Sequence, residues 1–143
     1  MILPDANILL YAHLVDDARY ERAKEWLESV LSGDEAVALT WQTITAFIRI
    51  GTNNRIFAQP LDLTAAVEIV SGWLARKNVV VVNPTARHWE TLIELLGEAQ
   101  AKADLVMDAH LAALAVEHGA RLTTTDRDFS KFGSRVKTFN PLR

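Results

Sequence analysis

The sequence predicts an α/β protein: a three-layer α/β/α sandwich with a mainly parallel central sheet. Three observations lead there. Short apolar runs at residues 2–4, 36–39, 79–82 and 121–124 are separated by stretches whose apolar residues recur at helical intervals. Strands separated in this way join through helical crossovers, and the crossovers cover both faces of the sheet. The run Val79–Val82 is four valines with no polar alternation, the pattern of a strand covered on both sides. The stretch Leu105–Val116 is apolar almost all the way round, as a buried helix must be.

The elements follow in order. Ile2-Leu3-Pro4 reads as a strand ending at Asp5, and Asn7–His13 as a helix with Ile8, Leu9 and Ala12 on one face. Asp5 at that junction is also an ordinary helix-capping residue. Arg19–Leu31 is amphipathic, with Ala23, Trp26, Leu27, Val30 and Leu31 inward, and Gly33 stops it. After the strand at 36–39, Thr40 caps a helix over Trp41–Thr52. Asn53–Leu61 is the most loop-like segment, and Thr64–Arg76 forms the next helix. Thr85 opens a helix lined by Trp89, Leu92, Ile93, Leu96 and Ala99. A helix from Asp104 ends at Gly119, followed by a strand over Arg121–Thr124 and a last strand around Val136–Phe139. With 143 residues and no repeat or long linker, the chain reads as one domain over residues 1–143.

Composition narrows the chemistry. There is no cysteine, which excludes disulfides, thiolate zinc sites and cysteine nucleophiles and fits a reducing cytoplasm. The apolar start is not a signal peptide, because no basic segment precedes it and Pro4, Asp5, Asn7 and His13 interrupt it. No run is long enough for a membrane helix. The net charge of −3 argues against a protein that coats nucleic acid by bulk charge. An enzyme whose acids hold a cation is not excluded.

In a parallel sheet, ligands collect beyond the carboxyl ends of the strands. Asp5 ends the first strand, Asp126 follows the Arg121–Thr124 strand, and Asp108 lies early in the helix from Asp104. Three carboxylates converging there gain nothing from one another and need a cation. Hard oxygen ligands point to Mg²⁺ or Mn²⁺, and such ions activate water for attack on a phosphodiester. Taken singly, Asp108 could be a satisfied buried acid, and Asp126 with Asp128 an acidic turn.

Three motifs, Pro-Asp-Ala-Asn-Ile-Leu-Leu-Tyr-Ala at 4–12, Asp-Ala-His-Leu-Ala-Ala-Leu-Ala at 108–115 and Thr-Thr-Asp-Arg-Asp-Phe at 124–129, resemble PIN-domain ribonucleases. More narrowly they resemble the VapC toxins of VapBC toxin–antitoxin pairs, and the likeness covers nearly the whole chain. The resemblance implies a PIN-like fold, cleavage of RNA with Mg²⁺ or Mn²⁺, a homodimer, and inhibition by a VapB-type antitoxin. It matches Asp5, Asp108 and Asp126 to catalytic metal-binding acids. Asn7 and Thr124 match polar positions that support the site. One position departs: the family often carries a glutamate where this chain has Ala46. Asp104, four residues before Asp108 on one helix face, is the first candidate to substitute, and Asp128 the second. Arg49 could instead bind a phosphate. The alternative motivated by Ala46 is a PIN-like module that binds RNA or a partner without cutting. The four histidines show no metal-ligand spacing, with His88 and His118 expected on exposed helix surface. Trp41, Trp73 and Trp89 fall on apolar stripes and are expected in the core or an interface.

Overall fold

The computed structural model describes residues 1–143. Five parallel strands form one sheet: β1 (Ile2–Pro4), β2 (Val37–Leu39), β3 (Val79–Val81), β4 (Arg121–Thr123) and β5 (Thr138–Phe139), in the order β3-β2-β1-β4-β5. β1 is central. It pairs Ile2 with Val37 on one side, and Ile2, Leu3 and Pro4 with Arg121, Leu122 and Thr123 on the other. The chain builds outward through β2 and β3, then returns to add β4 and β5 on the opposite side of β1. The order therefore reverses between β1 and β4, and a crevice opens at such a reversal.

Six helices cover the sheet: α1 (Ala6–Tyr11), α2 (Tyr20–Leu31), α3 (Trp41–Gly51), α4 (Leu63–Leu74), α5 (His88–Ala99) and α6 (Asp104–Glu117). A 3₁₀ turn over Arg127–Phe132 follows β4. Two hydrophobic clusters lie on the two sides of the sheet. One joins Leu3, Ala38 and Leu122 to α5, α6 and the 3₁₀ turn, through Leu95, Leu111, Leu114, Phe129 and Phe132. The other joins Leu39 to α1–α4, through Leu9, Leu27, Ile44, Phe47 and Trp73. Ala38 and Leu39 are neighbours in β2 and fall in different clusters, as the two-residue strand period requires. This is the expected three-layer arrangement.

Local signals set several boundaries. Thr40 caps α3 by accepting from the Thr43 N–H at 3.0 Å, as expected. Asp62 does the same for α4, accepting from Ala65 N–H at 2.7 Å. Gly119, at φ +63, follows the end of α6 in the left-handed region that glycine occupies without strain.

Four expectations are corrected. β3 lies at the sheet edge and is not covered on both faces: Val79 and Val81 are half-buried and Val80 is 42% exposed. α5 begins at His88 rather than Thr85, because Thr85 gives both its N–H and its hydroxyl to Glu117 across the helix pair. The inward stripe of α5 is shifted: Leu92, Leu96 and Ala99 pack against the core as expected and Leu95 is buried with them, but Trp89 is 67% exposed and Ile93 46% exposed. α6 is buried from Ala109 onward, but Val106 and Met107 in its first turns face solvent. Among the tryptophans on the apolar stripes, only Trp73 is buried; it packs against Phe47 with ring centroids 4.7 Å apart.

Candidate active site

The crevice between β1 and β4 is built by local chemistry at two strand ends. Asp5 leaves β1 and caps α1, its Oδ1 accepting from the Ala6 N–H at 2.7 Å. Its own N–H donates to the Thr123 carbonyl of β4 at 2.9 Å. The Thr124 hydroxyl donates to Asp5 Oδ2 at 2.9 Å and accepts from the Asp126 N–H at 3.0 Å. One buried threonine thus ties two acids that lie far apart in the chain. Asp126 in turn caps the 3₁₀ turn, its Oδ1 accepting from the Asp128 N–H at 2.8 Å.

α6 brings Asp108 to the same place, and the charges register one another. Burial pushes the Asp5 carboxyl above its ordinary value; hydrogen bonds from Thr124 and Ala6 work against this, and the Asp126 charge adds to it. Asp108 is pushed up to about 6, first by burial, then by the charges of Asp126, Asp5, Asp128 and Asp104. No lysine or arginine figures among these influences. Four carboxylates therefore raise Asp108, and of the five acids only Asp128, on the rim, has a cationic partner, Lys131. That is an unfavourable arrangement unless a cation enters.

The donor set suits a hard divalent cation. Its oxygens are carboxylates, joined by the Asn7 Oδ1, which is buried without a hydrogen-bond partner. No three acidic or histidine side chains close onto a common point. An ion held here would therefore keep part of its water shell, as Mg²⁺ does when one or two carboxylates bind it. Alongside Asp126 lies an open hollow of about 730 Å³, lined by Thr124, Asp126, Arg127, Ser130, Asn140 and Arg143 among others. It is polar and carries two guanidinium groups, wide enough for a phosphate-bearing strand beside the acids.

A model of the PIN domain family matches residues 2–134. The chain belongs to the PIN-domain family. Its similarity extends to the VapC ribonucleases: it is 42% identical over 132 residues to Ribonuclease VapC37 of Mycobacterium tuberculosis, covering 92% of each chain. To Ribonuclease VapC33 of the same species it is 34% identical over 143 residues, covering 100% of this chain and 99% of the other. Among solved structures, VapBC2 from Rickettsia felis, bound to a DNA fragment from its promoter, superimposes with a TM-score of 0.70 at 17% identity and covers 98% of both chains.

In this PIN domain the remaining candidate residues divide. Asp104 is exposed and adds to the field at Asp108 from one turn away. Asp128 lies on the rim and pairs with Lys131 at 3.3 Å. Arg49 is exposed on α3 and pairs with none of the acids. Ala46 is half-buried on the same helix.

The histidines were misread in part. His88 is only 14% exposed and lies in a chain of polar contacts between α5 and α6. Its Nδ1 pairs with Glu117 Oε2, and its Nε2 meets His110 Nδ1 at 2.9 Å. Glu117 also accepts from the Thr85 N–H at 2.9 Å and from its hydroxyl at 2.6 Å. Helical spacing signals half of this: His110 and Glu117 are seven residues apart, two turns on one face. The partner on α5 gives no such signal. His118 makes a single contact, its Nε2–H donating to the Asn83 carbonyl at 2.7 Å.

Proposed function

We propose that this PIN domain is a metal-dependent endoribonuclease, the toxin of a type II toxin–antitoxin pair. The observation that carries the chemistry is the group of acids around Asp5, Asp108 and Asp126 with no internal cation to neutralise it. The VapC relatives carry the substrate class. Mg²⁺ or Mn²⁺ is the cation, held by Asp5, Asp108 and Asp126 with Asn7 in support. When bound, such an ion supplies the Lewis acidity that polarises a phosphodiester and makes water nucleophilic near neutral pH. The protein fixes the Asp5 carboxylate plane through Ala6 and Thr124, so that one bond on each oxygen holds it still. Arg127 and Arg143, beside Asp126, bind the RNA backbone.

The partner is a VapB-type antitoxin, as the VapBC assembly of similar fold suggests. Trp89 and Ile93, four residues apart on α5, together with Met107 on α6, offer exposed apolar surface for a second copy in a homodimer. No helix is long and apolar enough to cross a membrane, which agrees with action in the cytoplasm, where the RNA is.

The decisive experiment is cleavage of total RNA by the purified chain. Cutting is expected with Mg²⁺ or Mn²⁺, none with EDTA, and recovery when the ion is returned. Asp5→Asn is expected to lose at least about a hundredfold of the rate without unfolding. RNA left whole under all these conditions, in a folded protein that still binds RNA, would instead support the non-catalytic module that Ala46 suggests. A finer prediction concerns Thr124. Thr124→Val removes the hydroxyl from both Asp5 and Asp126 while keeping the side-chain shape. A loss of about ten- to a hundredfold in cleavage is expected, the usual size for a residue that orients a ligand. An unchanged rate would show that the Asp5 carboxylate is held without it.

A further inference from the structure

The family often places an acid on α3 where this chain has Ala46, and neither Asp104 nor Asp128 is well placed to replace it. Asp104 is exposed on α6, and Asp128 is engaged on the rim with Lys131. α3 itself carries another oxygen. Gln42 lies four residues before Ala46, one turn earlier on the same helix face. It stands in the first turn of α3, directly after β2, and β2 adjoins the strand that ends at Asp5.

The side chain of Gln42 crosses to α6. Its Nε2 donates a long 3.4 Å hydrogen bond to the carbonyl of Met107, the residue before Asp108. The reverse orientation would set the amide oxygen against that carbonyl oxygen, so this bond decides which atom is left over. The atom left over is Oε1. It is buried and has no hydrogen-bond partner. A buried oxygen without a partner is unfavourable, and native proteins seldom leave one so without use. Asn7 Oδ1, on α1, is in the same condition. Two unpartnered carboxamide oxygens thus stand on α1 and α3, the helices that follow β1 and β2, and the Gln42 side chain is tied to the residue before Asp108.

We propose that Gln42 takes the place of the missing acid, its Oε1 serving the divalent cation directly or through one water. Carboxamide oxygens are ordinary ligands of hard cations. A neutral oxygen adds a donor without adding to the mutual repulsion of the five carboxylates. The consequence is a site that binds its ion more weakly than one with a glutamate, because affinity follows the charge count of the ligands. The proposal rests on the metal-dependent reading above and would fall with it.

The test is Mn²⁺ binding to the full chain, by calorimetry, beside melting temperature in a chelator. Gln42→Met removes the oxygen and keeps the length. It is expected to weaken Mn²⁺ binding about tenfold, with the metal-free melting temperature unchanged or raised. Gln42→Glu is expected to tighten binding, and Ala46→Glu to restore it in the Gln42→Met background. A purely structural role predicts the opposite pair of results: a lowered metal-free melting temperature and unchanged affinity. Wild-type affinity in both Gln42→Met and Gln42→Glu overturns the proposal alone, provided Asp108→Asn abolishes binding. Absence of Mn²⁺ binding by the wild-type chain overturns the metal-dependent reading together with it.

Discussion

Asp108→Asn is expected to cost at least about a hundredfold in RNA cleavage and, in the same protein, to raise the metal-free melting temperature. The two effects have one cause. Burial and four neighbouring carboxylates hold the Asp108 carboxyl at about 6, against 3.8 ordinarily. The folded protein therefore prefers the neutral acid. Stability from this group is fully present below about pH 4 and is lost as the pH rises through about 6. At pH 7.5 the ionised carboxylate is a burden, which asparagine removes. The group is half-exposed and solvent screens it, so the gain is on the order of 1 kcal/mol, or about 3 °C for a chain of this size. Mn²⁺ should raise the melting temperature of the wild type and leave that of Asp108→Asn nearly unmoved. A lower metal-free melting temperature for the variant would mean that the carboxylate is a satisfied structural acid, and would remove the case for a cation.

Glu117→Ala is expected to destabilise the fold by about 2–4 kcal/mol, with cleavage affected only through loss of folded protein. The carboxylate is 3% exposed and receives the Thr85 N–H, the Thr85 hydroxyl and His88. Truncation leaves all three without their partner between α5 and α6. Burial pushes the Glu117 carboxyl up, but these bonds outweigh it and hold the group below its ordinary value. Its contribution is present above about pH 4.5 and is lost as the pH falls through the depressed value. His110 acts in the same direction from a higher pH. Burial, and then its neighbour His88, hold it below 6.5, so the unfolded chain takes up the proton first and stability declines as the pH falls below about 6.5. Asp108 opposes this decline. Denaturant melts between pH 7.5 and 4 should therefore fall more steeply for Asp108→Asn than for the wild type, and less steeply for Glu117→Gln. Parallel curves for all three would show that these groups do not govern the acid limb.

Both regions are legible in the sequence only in part. Asp5 and Asp126 were legible because each follows an apolar run, and strand ends in a parallel sheet share an edge. The Thr124 hydroxyl was legible only as a polar position; its bond to Asp5 spans 119 residues, and no period connects them. The His88–His110–Glu117 chain was missed for a related reason. Spacing along α6 pairs His110 with Glu117, but which face α5 turns toward α6 depends on packing. The same rotation explains why Leu95 is buried and Trp89 is not. The valine run at 79–82 reads as a covered strand because composition reports what a strand can bury, not what packs over it; Val80 of β3 stays exposed. Gln42 carries no charge to mark it in the sequence, and its informative atom is an uncharged oxygen whose lack of a partner only the packing shows.

The position of β1 has a consequence for how the protein is made. β1 precedes β4 by more than a hundred residues, so one of its two flanks stays open until Arg121–Thr123 has been synthesised. Until then the nascent polypeptide lacks Thr124 and Asp126, and on the proposed assignment the acid group is incomplete. Fragments that stop before residue 124 are accordingly expected to leave RNA whole.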